Sequence, residues 1–142
     1  MIGLNHVLTG CAIAIAVKQP LLVAPSALLS HFLLDAIPHF DHTHYRHGSK
    51  YFFKIMTADT ILSVAATILV MWAIPQYAAV IALGAFFAIL PDILWVYYYT
   101  HNRPAWWFFR FHSKIQWFER PEGAIVEVSY TFFIALVTIA LQ

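Results

Sequence analysis

Five apolar stretches, separated by prolines or polar loops, organise this chain. The first runs from about Ile2 to Val17 and ends at Lys18-Gln19-Pro20. The second runs from about Leu21 to Ile37, with Pro25 in its first turns, where proline is tolerated. The third runs from Tyr51 or Phe52 to Ile74 and stops at Pro75. The fourth runs from about Tyr77 to Thr100, and the fifth from about Glu122 to Leu141. A segment inside a bilayer must satisfy its own backbone, so helices are predicted for all five. A span takes roughly 20 residues, a length the third, fourth and fifth stretches reach. The first two are short, which suits helices that tilt little or thin the bilayer locally. The predicted fold is therefore all-α: a polytopic membrane bundle of about five transmembrane helices, forming one domain over residues 1–142.

Two polar stretches interrupt this pattern. Pro38 to Lys50 is rich in histidine, and His101 to Pro121 mixes aromatics with Arg103, Arg110, Lys114 and Arg120. The run Trp106-Trp107-Phe108-Phe109 suits a segment lying at headgroup level. The remaining connections, at Lys18-Gln19-Pro20 and Pro75-Gln76, are very short, and no internal repeat is visible.

Composition agrees with a membrane protein. The chain is 61% hydrophobic and 11% charged, where a soluble domain carries about a quarter charged residues. A net charge of +1 gives no general nucleic-acid footprint. The single cysteine, Cys11, allows no intrachain disulfide. Leu8-Thr9-Gly10-Cys11 superficially resembles a lipoprotein cleavage box, but no basic region precedes it and the apolar run before it is too short. Cys11 reads better as a small residue at a helix contact.

Five alternating spans put the N-terminus and both polar loops on one side, here the loop side. It collects Arg46, Lys50, Lys54, Arg103, Arg110, Lys114 and Arg120, against Lys18 alone on the other. This bias predicts a cytoplasmic loop side. All eight histidines and all seven acidic residues fall there or in the nearer half of the membrane. At about 1.5 Å per helical residue, His31 and Asp35 lie about 10 and 5 Å in, Asp59 and Asp92 about 12 Å, and Glu127 about 7 Å. His6 lies near the loop-side end of the first helix. Every helix thus offers an ionisable group at similar shallow depth, as expected of an internal polar chamber.

Ionisable residues at such depth are costly and mark function. His31 and Asp35 are four apart and share a helical face. Histidine nitrogen with carboxylate oxygen suits Zn²⁺, Mn²⁺ or Fe²⁺. Asp59 and Asp92, deep in apolar runs, call for a cation or a hydrogen-bonding partner. Plainer readings stand beside these. His31 and Asp35 could be a hydrogen-bonded pair joining helices. Asp59 could bond a neighbouring helix with help from Thr57, Thr60 or Ser63, and Pro91-Asp92 could be a local kink. Glu127 could be a ligand, a base or a structural acid. His42, His44 and His47 read as exposed loop residues, and His101 as interfacial. Glu119 and Glu122 read as partners of Arg120 or caps of the fifth helix, and Tyr97, Tyr98 and Tyr99 as an aromatic belt.

Several short motifs together resemble the bacterial and archaeal membrane-bound metal-dependent hydrolases, a family distantly similar to zinc-dependent phospholipase C. Asn5-His6-Val7-Leu8-Thr9-Gly10 matches its N-terminal histidine before a small-residue helix. Ser30-His31 to Asp35 matches its Ser-His-x-x-x-Asp helix, and Leu90-Pro91-Asp92 its Leu-Pro-Asp segment. Phe111-His112-Ser113 matches its His-Ser near a basic, aromatic stretch. The family's Pro-Asp segment continues with Asp-His, for which Pro38-His39-Phe40-Asp41-His42 is the nearest equivalent here.

The resemblance implies one to three divalent transition ions, zinc first, held by His6, His31, Asp35, Asp59, Asp92 and His112, with His39 as a further candidate. It implies hydrolysis by a metal-activated water. Asp59 or Glu127 is the expected general base, and Arg110 or Arg103 the expected phosphate holder. A shallow site under an aromatic rim suits a phosphoester of a membrane lipid or other amphiphile. The expected setting is a prokaryotic inner or cell membrane. The rival expectation is a non-enzymatic cation-binding membrane protein or metal transporter. Against transport, the half away from the loops is nearly devoid of polar residues.

Overall fold

The first helix, α1 (Gly3–Val17), is the axis of the molecule: eleven of its fifteen residues are buried. It is rich in small residues, and small residues let helices approach closely where lipid gives no hydrophobic drive between them. In the computed structural model, which describes residues 1–40, 50–101, 107–118 and 120–141 (backbone alone at 98–100 and 109), the other helices surround it. They are α2 (Pro20–Asp35), α3 (Lys50–Ala73), α4 (Ala78–Thr100), α5 (Trp107–Ile115) and α6 (Gly123–Ala140). A short 3₁₀ turn, Pro75–Tyr77, joins α3 to α4.

The all-α expectation holds, and each predicted stretch becomes a helix with ends moved by a residue or two. Prolines explain the sharpness of several ends. Pro20 opens α2, where its missing N–H costs nothing, and Pro75 follows the end of α3. Lys18 turns the chain between α1 and α2 in a left-handed conformation, φ 60°, donating its N–H to the Ala14 carbonyl. Three helices are long and apolar enough to cross a membrane: α3, α4 with its preceding turn, and α6. α1 and α2 are apolar but shorter. The aromatic stretch forms the separate short helix α5, with Trp107 and Phe111 exposed and His112 buried.

The exterior is the greasy part. Leu21 and Leu29 on α2, Leu62 and Trp72 on α3, and Phe132 and Leu136 on α6 are all exposed. The interior holds small and polar groups together with an apolar core. α1 and α4 cross at Gly10 and Gly84, where a Cβ on either glycine would overlap the other's carbonyl oxygen. Around that crossing, Val7, Cys11, Ala14, Ile15, Ile81 and Ala85 form an apolar core. Cys11 is fully buried there, at a helix contact as expected. Polar contacts tie α1 to α6: Thr131 Oγ1 donates to Asn5 Oδ1 at 2.7 Å, Asn5 Nδ2 donates to the Glu127 carbonyl at 3.2 Å, and Thr9 and Tyr130 share a hydroxyl bond of 2.9 Å.

Two expectations need adjusting. Glu122 occupies the N-cap position of α6 but makes no side-chain cap bond. Asp59 is bonded neither through Thr60, whose hydroxyl donates to the Met56 carbonyl, nor through Ser63, whose hydroxyl has no hydrogen-bond partner. Its partners are backbone N–H groups of α1. Asp41, His42, His44, His47, Arg103 and Glu119 lie outside the described residues.

Candidate metal centre

The helix pairing that buries α1 also brings the loop-side ends of the helices together. On α2, His31 and Asp35 stand one turn apart, both fully buried. His31 Nδ1–H donates to the Ala88 carbonyl of α4 at 2.7 Å. That carbonyl lies three residues before Pro91, a fully buried proline inside α4. The bond fixes the tautomer and turns the bare Nε2 inward, as outer partners of metal-binding histidines do.

Three groups meet that nitrogen. His31 Nε2 lies 3.2 Å from Asp35 Oδ2, 3.1 Å from His112 Nε2 and 3.6 Å from Asp92 Oδ1. His112 Nε2 lies 2.9 Å from Asp35 Oδ2 and 3.8 Å from Asp92 Oδ1. One ligand atom from each of His31, Asp35, Asp92 and His112 falls within 4.8 Å of all the others, so this cluster could hold a metal ion. Asp92 is the most open member, its side chain 30% exposed.

Geometry and charge both suit a cation. Ligands 2.0–2.1 Å from a tetrahedral ion sit about 3.3 Å apart, and the spacings above, 2.9 to 3.8 Å, bracket that value. Three of the four atoms are lone-pair acceptors whatever the His112 tautomer. Burying such a set without a cation or added protons is costly.

A second set of groups faces the same two carboxylates from the other side. His6 Nε2 lies 3.2 Å from Asp35 Oδ1 and 4.0 Å from Asp92 Oδ2. The His6 ring stacks on His31 at 4.0 Å between centroids. It is fully buried, yet neither ring nitrogen has a hydrogen-bond partner. The Met1 ammonium lies 2.7 Å from Asp35 Oδ1, both fully buried. Each carboxylate thus divides its oxygens, one toward His31 and His112 and the other toward His6.

Asp59 and Glu127 stand one layer back. Asp59 accepts from Gly3 N–H at 2.7 Å and Leu4 N–H at 3.0 Å, one to each oxygen, and Glu127 Oε1 accepts from Ile2 N–H at 2.8 Å. These carboxylates satisfy the open N–H groups at the start of α1 and complement its dipole. Gly3 permits the approach, since a Cβ there would sit 2.8 Å from Asp59 Oδ2. His39 is buried, donates Nδ1–H to the Ile37 carbonyl at 2.8 Å, and lies outside the four-residue cluster. Arg110 is exposed on α5.

A cavity of about 510 Å³ opens beside the cluster. Its lining includes the polar Asp92, His112 and Gln116 and the apolar Met56, Ile89 and Val96. Asp59, Ser113 and His39 also reach it. Sequence reasoning missed Gln116, whose Nε2 donates to Asp35 Oδ2 at 3.4 Å. Its spacing of four from His112 on an amphipathic helix was the available signal. The Ala88 carbonyl was missed as well, and a backbone acceptor leaves no mark in a sequence.

Comparison with known proteins finds no matching family model, no matching curated protein and no matching solved structure.

Proposed function

We propose that this protein is a membrane-embedded, metal-dependent hydrolase acting on a phosphoester of an amphiphilic substrate, the activity its motifs resemble. One observation carries the reading: two imidazole nitrogens and two carboxylate oxygens converge within 4.8 Å beside a cavity lined by both polar and apolar side chains. His31, Asp35, Asp92 and His112 hold the ion. Zinc fits the mixed nitrogen and oxygen donors best, and manganese or iron also suits them. An ion there polarises a phosphoryl oxygen and activates water at neutral pH.

The divided oxygens of Asp35 and Asp92 favour a second ion near His6. Of the two expected bases, Asp59 is the better placed, because it lines the cavity. Glu127 supports the start of α1 from behind. Arg110 lies one turn before Ser113, which lines the cavity, and serves a phosphate from the rim. The seven basic residues on the loop side favour a cytoplasmic site.

Transport is the weaker reading. Beyond the cluster, the Gly10–Gly84 crossing and its apolar core close the axis of the bundle. The test is elemental analysis of detergent-purified protein, with hydrolysis of a phospholipid and of a soluble phosphodiester followed in parallel. The proposal expects stoichiometric transition metal that is lost in His31→Ala and Asp35→Ala, together with metal-dependent hydrolysis. Metal-free protein with unaltered content in both variants sinks it. Metal flux into liposomes without hydrolysis would favour the transporter.

A further inference from the structure

The side of the cavity away from the metal cluster is formed by α3 and α4, and it does not close. Between Phe52 and Ser63 no residue of α3 is buried: Asp59 ties the helix to α1, and a gap lined by Met56 and Thr60 of α3 and by Ile93 and Val96 of α4 remains beside it. The cavity of about 510 Å³ fills that gap. A second cavity of about 210 Å³ continues it outward, sharing Met56, Thr60, Trp95 and Val96 with the first and adding Phe53 and Ile61. Phe53 and Ile61 are 50% and 62% exposed on the outer surface of α3. Their shared lining traces a route from Asp92 and His112 toward the exposed outer face of α3.

The chemistry of this path changes along its length. Its inner end carries carboxylate, imidazole and amide groups. Among the described residues its outer part has no charged lining, and its polar groups are the Thr57 and Thr60 hydroxyls and the Trp95 indole N–H. Thr60 already spends its hydroxyl on the Met56 carbonyl. Such a lining suits hydrocarbon. Thr60 lies ten residues into α3, about 15 Å from the start of the helix, which is hydrocarbon depth for a spanning segment.

We propose that a bilayer lipid reaches the site sideways, through the cleft between α3 and α4. One acyl chain lies along Met56, Thr60, Trp95 and Val96, and the polar head sits at the metal cluster. The position of the head rests on the hydrolase reading above, whereas the path of the chain does not. The substrate is then taken from within the leaflet rather than from water, and its first recognised feature is a single hydrocarbon chain.

The test uses the full chain in phosphatidylcholine vesicles containing a trace of phosphatidylcholine with a photoactivatable diazirine on one acyl chain. Cross-linked residues are located by peptide mass spectrometry, and metal content is measured on the same sample. Labelling is expected to be several-fold denser on residues 52–61 and 89–96 than on the outer face of α6. Thr60→Trp, at an exposed position, should fill the cleft and reduce that labelling several-fold. Phe132→Trp, equally exposed but on α6, should leave it unchanged. Label spread evenly over the outer faces of α2, α3 and α6, insensitive to Thr60→Trp, overturns the inference. If Thr60→Trp fails to fold, the distribution on the unaltered chain decides alone. Cleft labelling on metal-free protein would sink the hydrolase reading and leave this one standing. Metal-loaded protein with uniform labelling would do the reverse.

Discussion

The two halves of α1 are held by opposite means. Its first two turns are gripped by polar groups from other helices: Asp59 and Glu127 on its N–H groups, Thr131 and Glu127 on Asn5, and the cluster around His6. Its second half is held by contact alone, with Gly10 against Gly84 and Cys11, Ala14 and Ile15 in an apolar core. Close packing is satisfied within the protein. The polar end is not fully satisfied, since both nitrogens of His6 and Nδ1 of His112 are buried without a hydrogen-bond partner. One end is closed by packing, and the other gathers a buried His/Asp cluster that could hold a metal ion.

Enlarging the glycine contact should break this comparison most severely. Gly10→Leu would drive a side chain into the backbone of α4, and overpacking of this kind costs about 1–3 kcal/mol or more. With backbone as the obstacle, the upper end or beyond is expected. Thermal unfolding in detergent should show a large loss of stability, and metal content should fall with it. A variant that unfolds like the parent would mean that the crossing is not tight.

Chelation should act on the polar end alone. An ion that binds only the folded state stabilises by about 2.7 kcal/mol at a hundredfold excess over its dissociation constant. Adding a chelator should lower the unfolding temperature of the parent chain and leave that of His31→Ala unmoved. An equal drop in both would show that the chelator acts elsewhere.

Asp59→Asn should have the smallest effect on stability. It replaces one acceptor of an α1 N–H group by a donor and removes a charge that complements the helix dipole, a loss of about 1–2 kcal/mol. Metal content should persist, because Asp59 lies outside the four-residue cluster. Hydrolysis falling far more than stability would mark Asp59 as the base. Hydrolysis falling in step with stability would leave it a support for α1.

Much of the site was legible beforehand because helices are local. His31 and Asp35 share a face by spacing alone, and their pairing at 3.2 Å follows from it. The gathering of His6, Asp92 and their partners near one end of the bundle also followed, since rise per residue is fixed. Pro91-Asp92 reads in sequence as a kink or a ligand; in the structure Asp92 joins the cluster, and Pro91 lies inside the unbroken α4. Asp59 and Asp92, alike in sequence as lone acids in apolar runs, separated in the structure. One holds backbone and the other joins the histidines.

The sequence by itself determined the helices, their ends at prolines and polar loops, and the gathering of ionisable groups toward one end. These depend on apolar runs and on the fixed geometry within a single helix. Tertiary structure alone decided how each helix is rotated about its axis against its neighbours. That rotation selects which oxygen of Asp35 meets which histidine, sets Asp59 and Glu127 on the start of α1, and leaves a cavity between α3 and α4. It arises from many small contacts between segments far apart in the chain, above all the Gly10–Gly84 crossing, and no local pattern encodes it.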